Sequence, residues 1–313
     1  MPSIFVTTPE LPESALDMLR TAGDLRVWSG ATPMRADTLA AEIREADALV
    51  TLVDNTVDAS VLAAGLRLRV VANVAVGFDN IDLDAARRRG IWVTNTPDVL
   101  TDATADLTFA LILAVARRIV EADAYLRDGK FDGWGFQLLL GTELRGKTLG
   151  VVGLGRIGKA VAQRAEAFGM NVAGLGSAAS DDELDALFAS ADVLTLHTPM
   201  MPATRHMVDA RRLRLMKKSA ILVNTARGPL VDEAAVADAL TSGALGGAGF
   251  DVYENEPAVH QRLLAAPNTV LVPHIGSATR DARRAMAELA ARNAVDVLAG
   301  RRPPNVIVEG RRE

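Results

Sequence analysis

Twelve residues, Thr148-Leu149-Gly150-Val151-Val152-Gly153-Leu154-Gly155-Arg156-Ile157-Gly158-Lys159, constrain this chain more than any others. An apolar run meets the pattern G-x-G-x-x-G and passes directly into the helical sequence Lys159–Phe168, stopped by Gly169. A strand, a tight turn and a helix in immediate succession are what a dinucleotide-binding fingerprint requires. Gly153 permits the turn, Gly155 lets backbone approach a pyrophosphate, and Gly158 lets helix and strand pack closely. The helix start at Arg156 and Ile157 offers N–H groups to the phosphates.

At 313 residues the chain is long enough for two domains. Residues 3–8 read as a strand and Leu11–Ala22 as a helix ended by Gly23. Strands at Leu25–Trp28, Ala48–Val53, Leu68–Val74 and Ile91–Thr94 then alternate with helices at Arg35–Ala46, Ala59–Ala64 and Leu83–Arg89. Such alternation means a parallel sheet covered on both faces. No glycine fingerprint follows the first strand, so this unit is not an obvious nucleotide site. Pro97-Asp98 breaks the rhythm and marks a domain boundary. Thr101–Arg127 reads as one long helix. Phe131, Trp134 and Phe136 make the loop Gly129–Gly141 too apolar for water unless something covers it. After the fingerprint come strands at Asn171–Leu175, Asp192–His197, Ala220–Thr225, Gly247–Val252 and Thr269–Val272, with helices at Asp182–Ser190 and Val231–Leu240. The last helix, Arg280–Leu298, has no following strand in its own unit and is expected to return to the first domain. The domains expected are therefore 1–98 with 284–313, and 99–283.

A formal net charge of −5 argues against nucleic acid or an anionic membrane as partner. With no cysteine there is no disulfide, no thiolate nucleophile and no Cys-ligated metal, and no metal is expected. The start Met1-Pro-Ser-Ile-Phe-Val lacks a basic leader, and the apolar run Phe109–Ala116 is too short to span a bilayer. A cytoplasmic protein is expected.

Only four histidines exist, so the candidates for acid–base chemistry can be sorted. His206 reads as an exposed helix start and His260 as part of a polar turn. His197 ends a strand, where a structural role is as good a reading as a functional one. His274 follows the last strand of the nucleotide domain, at the edge where ligands gather in open α/β sheets. Two more strand ends deliver Arg227, in Asn224-Thr225-Ala226-Arg227-Gly228, and Asp251 with the acidic cluster up to Glu256. A guanidinium, a carboxylate and an imidazole beside a nicotinamide are what reduction of a 2-oxo acid needs. The guanidinium fork can hold the substrate carboxylate and polarise its carbonyl. The imidazole can give the carbonyl oxygen a proton, and a carboxylate paired with it would fix its tautomer. The competing interpretation is a surface ion-pair cluster, and spacing alone does not choose among the acids.

These residues resemble the D-2-hydroxyacid dehydrogenase family, and within it the glyoxylate/hydroxypyruvate reductases. The match runs through Val76–Asp82, Thr96–Asp102, Val152–Gly158, Asn224–Gly228, Asp251-Val252 with Glu256-Pro257, and Pro273–Thr279. The resemblance implies two Rossmann-like doubly wound α/β domains about a cleft, and Arg227, Glu256 and His274 as the catalytic set. It implies that the Val76 and Gly77 N–H groups hold the substrate carboxylate, and that Asp251 accepts from the nicotinamide carboxamide. The coenzyme is then lined by the fingerprint residues and by Ser177, Thr198, Pro199, Thr225, Ala226, Asp251, His274 and Gly276. A homodimer through the long helix is implied as well, with Trp134 reaching the partner's active site. Phosphite dehydrogenases look similar around Pro97–Asp102 and Lys130–Trp134, and dinucleotide-sensing corepressors keep the same catalytic set. Both remain alternatives.

One departure stands out. The second strand of the nucleotide unit ends in Gly176-Ser177, with neither the acid of NAD users nor the arginine of NADP users. The segment before Asp182 is short, as if a helix–strand piece were missing. Ser177 and Ser180 could bond ribose or phosphate, and Arg156 could reach over. Weak discrimination is expected, within about 100-fold in kcat/KM, leaning to NADPH.

Overall fold

A computed structural model describes Met1–Arg311, and the expectations for 312 and 313 lie outside the described residues. The chain divides into two compact units, one built from Met1–Leu100 and the segment from Ala278, the other from Thr101–Ser277.

The first unit opens with β1 (Ser3–Val6), α1 (Glu13–Ala22), β2 (Asp24–Val27), α2 (Ala36–Glu42), β3 (Ala48–Thr51), α3 (Ala59–Ala64), β4 (Val70–Asn73), α4 (Leu83–Arg89) and β5 (Trp92–Thr94). Asp58 and Asp82 cap α3 and α4 through backbone N–H groups, and Gly90 ends α4 in the left-handed region. Every residue of β3 and β4 is buried, as expected of parallel strands covered on both faces.

The second unit contains α5 (Thr101–Ala116), α6 (Ile119–Arg127), β6 (Thr148–Val152), α7 (Arg156–Ala167), β7 (Asn171–Leu175), α8 (Asp181–Ser190), β8 (Val193–Leu196), α9 (Ala210–Leu213), β9 (Ile221–Asn224), α10 (Glu233–Thr241), β10 (Gly247–Phe250), α11 (Gln261–Leu264) and β11 (Thr269–Leu271). Its sheet runs β11-β10-β9-β8-β6-β7, and every pairing is parallel. Alternation along the strands sends side chains into two cores. Val193, Ile221 and Val223 join Ile112 and Val115 of α5 on one face. Leu194, Leu196 and Leu222 join Leu187 and Phe188 of α8 on the other. The helix–strand piece missing from the sequence has its counterpart here: β7 leads straight into α8 and is the outer strand.

The chain then returns to the first unit with α12 (Arg280–Leu298) and β12 (Val306–Val308). The return comes at Ala278, ahead of residue 284, because Thr279 already caps α12 by accepting from the Ala282 N–H. The first sheet has the order β12-β5-β4-β3-β1-β2, in which β12 is antiparallel to β5 and was not foreseen.

A second difference concerns Thr101–Arg127, expected as one helix. The chain breaks at Arg118, whose φ is 53°. The Thr142 N–H donates to the Ala116 carbonyl at 2.7 Å and closes the end of α5. A Cβ on Gly141 would lie 2.4 Å from that same carbonyl oxygen, so only glycine fits the return. Everything between, α6 and the loop after it, is an arm. No residue of α6 is buried, and Phe131, Trp134 and Phe136 are exposed. Among the described residues, no helix is long and apolar enough to cross a membrane, and no group of three His, Asp or Glu is placed to hold a metal.

Candidate active site

Because the six strands of the second sheet run parallel, their carboxyl ends share one edge. The strand order reverses at β6: α7 leads to β7 on one side, α8 to β8 on the other. Such a switch point opens a crevice outside the strand ends. The three fingerprint glycines differ in what surrounds them. Gly153 has φ 98°, and a Cβ there would sit 2.6 Å from the His197 carbonyl and 2.8 Å from the Thr198 nitrogen. A Cβ on Gly158 would lie 2.1 Å from the Gly153 oxygen, so this glycine sets how closely α7 approaches β6. Beside Gly155 there is open space, and no side chain caps α7 there. Open space at an uncapped helix start, with Arg156, Ile157 and Gly158 next in line, fits a pyrophosphate.

At the end of β7, Gly176 and Ser177 are exposed in a turn closed by the Ala179 N–H on the Gly176 carbonyl. Ser180 is already engaged: it caps α8 and exchanges hydrogen bonds with Glu183 in a capping box. Thr198 and Pro199 follow β8. Thr225 and Ala226 follow β9, with the Thr225 hydroxyl 2.8 Å from that of Thr108.

The structure brings Glu256 and His274 together. His274 Nδ1 lies 2.8 Å from Glu256 Oε2, which leaves Nε2 for proton transfer. His274 has φ 51°, a left-handed conformation uncommon outside glycine. Its N–H donates to the Asp251 and Val272 carbonyls at 2.9 and 3.1 Å. The buried Asp251 carboxylate accepts the N–H groups of Ile275 at 2.6 Å and Gly276 at 2.8 Å, so it fastens the turn that carries His274. Burial raises the Asp251 carboxyl above its ordinary value, against these donors and the neighbouring imidazole. Burial acts on Glu256 in the same sense, but His274, the Tyr253 N–H and Arg227 outweigh it and hold Glu256 below its ordinary value. Glu256 is therefore the ionised partner of the imidazole.

Arg227 follows the end of β9 in a turn stitched by Asn224. The Asn224 side chain donates to the Arg227 carbonyl and accepts from the Ala226 N–H. The Arg227 guanidinium donates to the Ala226 carbonyl at 2.7 Å. A Cβ on Gly228 would lie 1.8 Å from the Tyr253 carbonyl carbon, so this turn packs directly on the chain leading to Glu256. Asn224, Gly228 and Tyr253 were not singled out from the sequence. Tyr253 donates its N–H to Glu256 at 2.9 Å and its hydroxyl to the Val272 carbonyl, also at 2.9 Å. The available signal was position: each lies within three residues of a recognised site residue.

The other histidines sort differently. His197 Nε2 is 3.0 Å from the Thr195 hydroxyl, and burial pushes its pKa down to about 4. Its surroundings favour the neutral imidazole. His206 does not start a helix; it lies in a turn at φ 48° with Nε2 2.7 Å from Glu254. His260 precedes α11.

Val76 and Gly77 belong to the first unit, just after β4. The Ala75 carbonyl accepts from the Thr96 N–H, and the Val76 carbonyl from the Asn95 side chain, both at 2.8 Å. In a planar trans peptide the N–H opposes the preceding carbonyl. The Val76 and Gly77 N–H groups therefore point away from residues 95 and 96. Asn293 of α12 donates to the Asn95 carbonyl and steadies this arrangement.

Residues 109–276 match the D-isomer specific 2-hydroxyacid dehydrogenase, NAD binding domain family. Over 320 aligned residues the chain is 45% identical to a glyoxylate reductase of Thermococcus litoralis, covering 98% of this chain and 96% of the relative. The chain belongs to the D-isomer specific 2-hydroxyacid dehydrogenase family. A crystal structure of a Thermus thermophilus protein superposes on this dehydrogenase with a TM-score of 0.92 at 48% identity, over 98% of this chain and 100% of the other. The NADPH-dependent glyoxylate/hydroxypyruvate reductase of Sinorhizobium meliloti, solved with NADP and malonate, gives 0.88 at 33% identity over 100% and 99%. Membership makes this chain an NAD(P)-dependent dehydrogenase acting on 2-oxo or 2-hydroxy acids, with two Rossmann-like units.

Proposed function

We propose that this dehydrogenase reduces glyoxylate or hydroxypyruvate to the D-2-hydroxy acid, using NADH or NADPH. The carrying observation is the His274–Glu256 pair at 2.8 Å on the carboxyl edge of the nucleotide-binding sheet. When bound, the reduced nicotinamide would supply the hydride that the carbonyl carbon takes up. His274 Nε2 gives a proton to the carbonyl oxygen, while Glu256 on Nδ1 fixes the tautomer and balances the imidazolium. Arg227 holds the substrate carboxylate and polarises the carbonyl. The Val76 and Gly77 N–H groups donate to that carboxylate, and Asp251, while holding the His274 turn, also accepts from the nicotinamide carboxamide. Ser177, Thr198, Pro199, Thr225, Ala226 and Gly276 line the coenzyme.

The relatives support this substrate class: the Thermococcus litoralis protein is a glyoxylate reductase, and the Sinorhizobium meliloti enzyme holds malonate, a small diacid. The functional molecule in this reading is a homodimer, with the arm bearing Trp134 covered by a second copy. A panel of NADH and NADPH oxidation with glyoxylate, hydroxypyruvate and pyruvate, with phosphite in reverse, tests the assignment. Turnover with phosphite alone would replace it.

A further inference from the structure

The loop from Glu254 to His260 carries Glu256 but has no helix or strand of its own. It is held from below by a carboxylate. Glu233, the first residue of α10, is only 4% exposed. Its Oε1 accepts the Glu254 N–H, and its Oε2 accepts the His260 N–H at 3.0 Å. Both oxygens thus bridge the two ends of the loop that presents Glu256. An acid at a helix start is favoured by the helix dipole alone, but that effect asks for no burial and no distant partners. A buried carboxylate is costly unless it is well bonded, and here two charge-assisted bonds to one loop offset the cost. On its outer side the same loop is held by Arg205 and His206, both bonded to the Glu254 carboxylate.

We propose that Glu233 is a positioning residue that fixes Glu256 against His274 Nδ1, and so sets the proton-transfer geometry from beneath the loop. This rests on the reading of Glu256 and His274 as the catalytic pair. Glu233 touches neither; it acts through the backbone at Glu254 and His260. Besides Glu256 and His274, the titratable or charged groups at the loop are Arg205, His206 and Glu254 on its outer side, His260 at its end, and Asp251, Tyr253 and Arg227 beside Glu256, all unchanged in the variants below.

Glu233→Gln keeps size and one acceptor but sets an amide N–H₂ against one backbone N–H. Glu233→Asp keeps the charge but is too short to reach both ends. For Glu233→Gln, kcat for glyoxylate should fall roughly 10- to 100-fold, in line with misplacement of a catalytic group by an ångström. The pH profile of reduction should move to lower pH, in the direction expected of Glu256→Gln, while coenzyme Kd stays within about twofold. Glu233→Asp should recover part of the loss. Folded variants with wild-type kcat and pH profile, whatever their melting temperature, would overturn the proposal. Amide hydrogen exchange on the unmodified protein gives a test that needs no variant. The Glu254 and His260 N–H groups should be protected well beyond the exposed Asn255 between them, and exchange at the same rate would overturn the clamp. If the wild type reduces neither glyoxylate nor hydroxypyruvate, the substrate assignment fails, yet the exchange measurement still reads the clamp.

Discussion

His274 presents its imidazole from a backbone conformation that costs a non-glycine residue about 1–3 kcal/mol. Asp251 offsets that strain through the Ile275 and Gly276 N–H groups, and asparagine tolerates the same conformation. His274→Asn should therefore fold and bind coenzyme while losing ~10²–10⁴-fold in kcat. Wild-type turnover on glyoxylate between pH 6 and 8 would remove it as the acid. Glu256→Gln takes the anion from the imidazolium, so the pH profile of reduction should shift to lower pH; an unshifted profile would point to Glu254 or Asp251. His197 gives a prediction about stability instead. Burial lowers its folded pKa to about 4 from an unfolded value near 6.5. The unfolded chain then takes the proton first, so this contribution is complete above pH 6.5 and is lost as pH falls toward 4, by up to ~3 kcal/mol. Urea midpoints of wild type and His197→Gln should converge over that window, and parallel curves would refute the assignment. Arg227, Asp251 and His274 could be placed from the sequence because each follows an apolar run that reads as a strand, whereas Glu256 was picked out of the acidic cluster only by the family resemblance. Asn224 and Tyr253 were not, since their work is done through hydrogen bonds that only the folded turn reveals.

Among the elements, the glycines of the β6–α7 turn make the clearest forecast. A methyl on Gly158 would strike the Gly153 carbonyl, with no flexible side chain to yield. Gly158→Ala should cost about 1–3 kcal/mol by overpacking and weaken coenzyme binding through the displaced helix start. An unchanged melting temperature and coenzyme Kd would show that α7 has room. The βα alternation was readable from apolar periodicity and from helix-ending glycines such as Gly23 and Gly169. The break at Arg118 was not, because Arg117-Arg118-Ile119-Val120 continues a helical pattern. The return of Gly141 and Thr142 onto Ala116 imposes it from far along the chain. For the same reason β12 escaped notice: three residues have no period, and only pairing with β5 makes them a strand.

At the scale of the molecule, Trp134 at 83% and Phe136 at 75% exposure are hard to reconcile with a lone chain in water. Sedimentation should show a dimer, and replacing Phe131, Trp134 and Phe136 together by serine should shift it toward monomer. A stable, active monomer of the wild type would refute this. The direct passage from β7 to α8 has a further consequence. An outer strand is a row of unpaired donors and acceptors, a template on which a foreign strand can grow. Of this sheet's two margins only β11 is short, at three residues, while β7 with five is as long as any strand in the sheet. Of the two, β7 is longer and ends in the exposed turn at Gly176. A molecule loosened by heat would be expected to recruit its neighbours there first, so the seam left beside the fingerprint is also where this sheet is most open to cross-chain pairing.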